Sequence, residues 1–327
     1  MTGLRALADL ATPMAIRVAA TLRVADHVAA GRCTAAAIAA ATGTRAGPLD
    51  RVLRHLAGVG LFAVDPPGHY ALTGLGDQLR SDHPGGRRAW LDIDGGVGKG
   101  DLCFVDLLHT VRTGEPAYPV RYGLSFWDDV ARDPAHSAMF DALMGHHIAL
   151  DGAGIAGAYD WFALGSVVDV GGGDGTLLSV LLTAHPKLTG TVVDLEGPAT
   201  AARQSLLTGD LADRAAVVTG SFFDPLPAGA GGYVLSAILH DWDDEAAAAI
   251  LRRCAEAAGD DGVVLVVEGT GADGESPNTG MDLRMMAYYS GKERGVTEIA
   301  ALGVAAGLTL RAVHPLGRYM SIVELAR

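Results

Sequence analysis

His240 is the residue in this chain placed most like a reagent. It closes the run Tyr233-Val-Leu-Ser-Ala-Ile-Leu-His240, and Asp241-Trp242-Asp243-Asp244-Glu245 follows. That order predicts an apolar strand, a short loop and an acidic helix start capped by Asp243 or Asp244. An imidazole just past a strand's C-terminal end lies where open α/β sheets bind ligands, although a lone loop histidine is usually structural or solvated. Two carboxylates could join it: Glu268, which ends the apolar run Val263-Val-Leu-Val-Val-Glu268, and Glu293 in Ser290-Gly-Lys-Glu-Arg294. Each has a plain alternative, strand-end solvation for Glu268 and a surface ion pair with Arg294 for Glu293.

A second cluster lies upstream. Val167-Val168-Asp169-Val170-Gly171-Gly172-Gly173-Asp174-Gly175 is an apolar run that ends on an acid and a glycine-rich turn, and a helical apolar stretch follows from Thr176 to His185. A buried parallel strand, a tight turn and a helix fit this order. Glycines at 171, 173 and 175 let a ligand lie against the backbone at the helix N-terminus, so a nucleotide-like ligand is expected. A dinucleotide fingerprint wants G-x-G-x-x-G, and Thr176 breaks it. The glycines here alternate as G-x-G-x-G. A further acid, Asp194, closes the next apolar run, where it could hold both ribose hydroxyls of such a ligand.

The elements that must carry these residues follow from the rest of the chain. At 327 residues, with 49% hydrophobic and 19% charged side chains, one large or two modest globular domains are expected. From residue 164 onward, apolar runs at 166–170, 189–194, 215–219, 233–237 and 263–268 alternate with helical stretches. That pattern predicts a doubly wound parallel sheet. Two more strand-like runs, 308–313 and 319–324, separated by a Pro-Leu-Gly turn, suggest a terminal antiparallel hairpin. Residues 1–95 read as a separate domain. Apolar positions recur at helical spacing from Leu4 to Val24, Thr34 starts a short Ala-rich helix that Gly43 ends, a helix follows from Pro48 to Leu56, and Leu61–Val64 and His69–Leu72 flank a Pro-Pro-Gly turn. Three helices and a hairpin resemble a winged helix. Residues 96–163 form a helical linker rich in aromatic residues, with Met139 and Met144 among them, able to wall an aromatic pocket; packing between domains is the simpler reading of any one of them.

Charge and cysteine usage exclude several classes. The net charge of −13 disfavours a polyanionic partner. Residues 1–100 carry about +3, but no dense basic stripe appears, so the winged helix reads as a dimerisation domain rather than a DNA reader. Cys33, Cys103 and Cys254 are scattered, as suits reduced thiols in a cytoplasm. No apolar run is long enough to span a membrane and no signal-peptide core opens the chain. No metal-ligand spacing is present, so no catalytic metal is expected.

The alternating glycine turn resembles motif I of S-adenosylmethionine-dependent methyltransferases. With Asp194, Gly220-Ser-Phe-Phe-Asp224, Leu239-His-Asp-Trp242, Ile-Leu-Arg-Arg-Cys254 and Gly291-Lys-Glu-Arg294 in order, almost the whole chain resembles the caffeate-type small-molecule O-methyltransferases. It is most similar to the bacterial branch that methylates aromatic polyketide acids. The resemblance implies a Rossmann-like methyltransferase domain over 164–327, an N-terminal winged-helix dimerisation domain and a homodimer. It implies S-adenosylmethionine as cofactor and His240 as general base bracketed by Glu268 and Glu293. It places Asp169, Gly171, Gly173, Asp194, Ser221, Phe222 and Ser236 around the cofactor. Ser221 and Phe222 stand where plant members carry Asp-Met, and Ser236 where they carry a lysine, so the contacts there differ. Met144, Met285 and Tyr289 are assigned to the substrate wall, Tyr289 in place of a plant asparagine. Arg5, on an N-terminal helix able to reach a neighbouring subunit, is a candidate clasp for an aromatic carboxylate, or a solvated terminal arginine.

The expected chemistry is one displacement at a methyl group. A phenol with a pKa of about 10 is a poor nucleophile at neutral pH, and a neutral imidazole can take its proton during attack. Three other readings compete: a hydroxylase or decarboxylase on the same scaffold, a cofactor-sensing winged-helix regulator, and a nicotinamide dehydrogenase, which Thr176 disfavours.

Overall fold

The computed structural model describes residues 3–271, 274–275, 278–317 and 319–327. The chain divides into two units, residues 1–102 and 103–327, and each is described by itself.

In the first unit, helices Ala35–Thr42 and Ala46–Gly58 and the hairpin β1 (Phe62–Asp65) and β2 (His69–Leu72) follow the expected order. The Thr34 hydroxyl accepts the Ala37 N–H at 3.2 Å, and Gly43 ends the helix at φ +68°. Ile38, Leu53, Leu56, Phe62 and Tyr70 are buried together. The apolar series from Leu4 to Val24 is not one helix but three, Leu4–Leu7, Ala11–Thr21 and Val24–Ala29. Asp9 causes the first break: its carboxylate accepts the N–H groups of Ala11 and Thr12 and caps the second helix. Arg23, at φ +51°, makes the second. Leu4, Leu7 and Leu10 are left exposed on this chain.

The second unit is built on seven strands: β3 (Ser166–Val170), β4 (Thr189–Asp194), β5 (Ala215–Thr219), β6 (Gly232–Ser236), β7 (Val263–Glu268), β8 (Thr309–Leu316) and β9 (Met320–Ala326). Their spatial order is β5-β4-β3-β6-β7-β9-β8, parallel from β5 to β7 and antiparallel through β9 and β8. The interior strands are β-branched and buried on both faces, as a covered parallel sheet requires. Alternation sends Val168, Val170, Tyr233, Leu235, Val264 and Val266 to one face, with helices Asp244–Ala258 and Val296–Ala305. Val167, Val234, Leu265 and Val267 go to the other, with Leu177, Leu178, Leu181 and Leu182 of helix Thr176–Ala184 and Ile155 of helix Pro134–Ala158. The hairpin turn falls later than the sequence suggests. Pro315 and Leu316 belong to β8, paired in register with Ser321 and Met320. A proline is tolerated there because β8 is an edge strand with only β9 beside it.

The strand order reverses at β3: the chain runs outward through β4 and β5, then returns to β6 on the other side. Such a switch point opens a crevice at the strands' C-terminal ends. Asp169, Asp194, Ser236 and Glu268 lie at or next to those ends. Among the described residues, no helix is long and apolar enough to cross a membrane. Asp243 rather than Asp244 caps helix Asp244–Ala258, accepting the Ala246 N–H at 2.8 Å. Asp243→Ala is expected to cost about 0.5–2 kcal/mol, read as a lower urea midpoint with an unchanged slope.

Candidate active site

The loop after β6 is held from both sides. Ala237 takes a left-handed backbone conformation, φ +54°, rare for a residue with a Cβ. The next three N–H groups, of Ile238, Leu239 and His240, converge on Glu268 Oε1 at 3.1, 2.9 and 3.4 Å. The loop's carbonyls meet a cation: Arg294 donates to the oxygens of Leu239 and Trp242, each at 2.8 Å, and pairs with Asp244. Arg294 is therefore not the surface partner of Glu293. It is buried and serves the loop.

Glu293 turns inward instead. Its Oε1 lies 2.7 Å from His240 Nδ1, while Glu268 Oε2 is 3.6 Å from the same nitrogen. Both glutamates are buried. The two carboxylates thus divide the work: Glu293 takes the Nδ1–H, which leaves Nε2 as the nitrogen free to act as a base, and Glu268 anchors the backbone. A third carboxylate went unnoticed as a partner in the sequence. Asp241 Oδ1 is 3.5 Å from His240 Nε2. Its signal was adjacency to His240, which did not say that its side chain would turn back toward the ring.

The electrostatics follow from this crowding. Burial disfavours the imidazolium, but Glu268, Asp241 and Glu293 outweigh it and push His240 up to about 10. Burial, partly offset by His240, raises Asp241 to about 7 and also raises Glu268. The loop that delivers Glu293 needs a glycine. A Cβ on Gly291 would stand 2.1 Å from the His240 carbonyl oxygen, which accepts the Lys292 N–H at 2.9 Å.

The remaining predicted residues fall into two groups. Asp169 is buried and its Oδ2 has no hydrogen-bond partner. Gly171 and Gly173 have φ +72° and +59°, and a Cβ on Gly171 would strike Ile238 and touch Phe222. Asp194 accepts the Gly173 N–H at 2.8 Å and the Leu195 N–H at 2.7 Å. Ser221 accepts the Phe223 N–H, Phe222 stands edge-on to Phe223 and Trp242, and Ser236 is half-buried at the end of β6. Gly171 thus lies beside Phe222 and Gly173 is bonded to Asp194, near the strand ends at the switch point.

The second group is aromatic. Phe126 is the hub, with ring centroids of Tyr118, Trp127, Phe140, Tyr288 and Tyr289 within 5.6 Å. Tyr118 and Phe126 are core residues, whereas Trp127, Tyr289 and Met144 are only half-buried. Tyr289 stacks on Trp127 at 5.2 Å, and its phenol is raised first by burial and then by Asp241. Tyr289 belongs to the aromatic wall and lies within electrostatic reach of Asp241 in the histidine cluster. Met285 is buried on the same segment. Tyr159, Trp161 and Phe162 do not join the wall: Trp161 packs in the sheet's core, with Tyr159 against it, and Phe162 is exposed. Arg5 lies in the first unit, exposed on helix Leu4–Leu7.

A doubly wound sheet with an acid-bordered glycine turn and a carboxylate-flanked histidine defines the class of S-adenosylmethionine-dependent methyltransferases. The chain belongs to the O-methyltransferase family: residues 104–309 match the O-methyltransferase domain and residues 4–82 the O-methyltransferase dimerisation domain. A 2,7-dihydroxy-5-methyl-1-naphthoate 7-O-methyltransferase of Streptomyces carzinostaticus is 65% identical over 323 residues, 99% of this chain and 97% of the relative. An aclacinomycin 10-hydroxylase of Streptomyces purpurascens is 44% identical, over 96% of this chain and 86% of its own length. The crystal structure of an O-methyltransferase from neocarzinostatin biosynthesis, with S-adenosylmethionine and 2-hydroxy-5-methyl naphthoic acid, matches at a TM-score of 0.95 and 64% identity, covering 100% of this chain and 99% of that one. The protein is an S-adenosylmethionine-dependent O-methyltransferase.

Gly291→Ala is expected to displace the Glu293 loop and lower kcat about 10²-fold, with cofactor affinity unchanged by calorimetry.

Proposed function

We propose that the enzyme methylates a phenolic hydroxyl of a naphthoic- or benzoic-acid-like polyketide intermediate in antibiotic biosynthesis, acting as a cytoplasmic homodimer. The observation that carries this reading is the 2.7 Å contact of His240 Nδ1 with Glu293, next to the stacked Trp127 and Tyr289. The 65% identical relative that acts on a dihydroxynaphthoate supports the substrate class. The dimerisation domain and the exposed Leu4, Leu7 and Leu10 support the homodimer.

The residues at the crevice fit the cofactor. The glycine turn leaves room for backbone approach, Asp194 faces it, and the unpartnered oxygen of buried Asp169 suits a cationic ligand. Asp169, Gly171, Gly173, Asp194, Ser221, Phe222 and Ser236 would hold it. Bound there, S-adenosylmethionine supplies an electrophilic methyl on a sulfonium. The protein's part is to place and deprotonate the acceptor. Trp127, Tyr289, Met144 and Met285 hold the ring. His240 Nε2 takes the phenolic proton as the oxygen attacks, and Glu293 stabilises the resulting imidazolium through Nδ1. The three carboxylates raise the conjugate acid of His240 toward the range of a phenol, which favours the transfer. Arg5 is the group proposed to clasp the substrate's acid from the neighbouring subunit.

With methyl-labelled S-adenosylmethionine and a panel of hydroxylated benzoates and naphthoates, label should appear on a ring oxygen. His240→Ala should lower kcat by about 10²–10⁴-fold. Cofactor binding without transfer to any phenol would overturn the substrate class and favour a reaction such as that of the hydroxylase relative. The active form of His240 is the neutral one and its pKa is raised, so kcat/KM should climb as pH rises above neutrality. Glu293→Gln removes a charge that favours the imidazolium, so the same rise should move to lower pH with a reduced maximum. Arg5→Ala should raise KM for carboxylated acceptors and spare those without the acid; equal effects on both would remove Arg5 from the site.

A further inference from the structure

One acid at the cofactor crevice belongs to no motif. Helix Pro134–Ala158 approaches the segments around the glycine turn at residues 137, 145 and 152. Ser137 Oγ lies 3.7 Å from where a Cβ on Gly197 would stand. A Cβ on Gly145 would fall 2.7 Å from Asp174 Oδ2, and one on Gly152 would fall 3.1 Å from Val180. Residues four apart share a helix face, so Asp141, between Ser137 and Gly145, is directed at the space between the glycine turn and the Asp194 end of β4.

That space is acidic. Burial, followed by the charges of Asp194 and Asp174, pushes the Asp141 carboxyl up to about 6. Asp169 is pushed up to about 7 by burial and the same two neighbours, and its Oδ2, 2.6 Å from where a Cβ on Gly172 would stand, faces the turn without a hydrogen bond. Among the described residues, no lysine or arginine pairs with Asp141, Asp169, Asp174 or Asp194. Carboxylates gathered in a half-buried site without a cation repel one another, and a positively charged ligand relieves that. Asp194 is engaged by the backbone of Gly173 and Leu195 and Asp174 by Thr176, while Asp169 lies fully buried beneath the turn with its Oδ2 unpartnered. Asp141 has only the Ser137 hydroxyl, at 3.4 Å.

We propose that Asp141 is a further cofactor-binding residue, whose carboxylate recognises the ammonium at the methionine end of S-adenosylmethionine from the helix that lies over the crevice. The assignment rests on the family's cofactor and not on the identity of the methyl acceptor. It explains why this helix carries glycine at 145 and 152, which let it come close enough for a short aspartate to reach the ligand.

Isothermal titration with three probes tests it: S-adenosylmethionine, S-adenosylhomocysteine and 5′-methylthioadenosine, which keeps the nucleoside and lacks the amino acid. A charge-assisted hydrogen bond is worth about 1.5–3 kcal/mol, so Asp141→Asn should weaken the first two by about 10- to 100-fold. Binding of 5′-methylthioadenosine should change less than about twofold, within the scatter of a neutral site. Asp141→Glu, which keeps the charge, should recover most of the affinity. Unchanged binding of S-adenosylmethionine in Asp141→Asn overturns the assignment. So does an equal loss for 5′-methylthioadenosine, which would mark a packing role, and so does a loss in Asp141→Glu as large as in Asp141→Asn.

Discussion

The site depends on the carboxylate of Glu268 at the end of β7. One oxygen gathers three successive N–H groups of the loop that carries His240. A buried carboxylate is costly unless its lone pairs are used, and these donors use them. The loop in turn could not hold the left-handed Ala237 conformation without something over-determining it. Arg294 completes the arrangement by gripping the carbonyls of Leu239 and Trp242. An anion holds the donors and a cation holds the acceptors, so the peptide dipoles of the segment are fixed in direction and the imidazole is fixed with them. Glu293 then needs only to select the tautomer.

Two acidic centres result, and they differ in what balances them. Around His240 the balancing charge is internal: the imidazolium, with burial opposing it and three carboxylates favouring it. Around the glycine turn there is no internal cation among the described residues, and the carboxyls of Asp141, Asp169 and Asp194 are all raised by burial. The first centre carries its counter-charge within the protein. The second suits a ligand that brings its own positive charge.

Much of this was legible in the residues. The period-two apolar runs, the alternating glycines and the acids that end β3, β4 and β7 report local geometry, and local geometry is what spacing encodes. The partition between Glu268 and Glu293 was not legible, because it depends on which oxygen meets which nitrogen at separations of 28 and 53 residues along the chain. The plain alternative for Glu293, an ion pair with Arg294, does not form, since adjacency in the chain says little about where a long side chain ends. The break after Leu7 turns on one aspartate folding back onto N–H groups two and three residues ahead. Asp141 lies in a long helix with no motif around it, and only the register against Gly197 and Asp174 reveals which way it faces.

Pro315 on β8 has a consequence beyond the hairpin. An open sheet edge is a template on which another chain can add a strand, in folding intermediates as well as in the native state. β8 has one neighbour, and at Pro315 it offers no N–H to a second. Continuous strand pairing along that edge is interrupted, so the catalytic sheet resists growth into fibrils or swapped oligomers. Self-association then falls to the dimerisation domain matched over residues 4–82 rather than to the sheet edge.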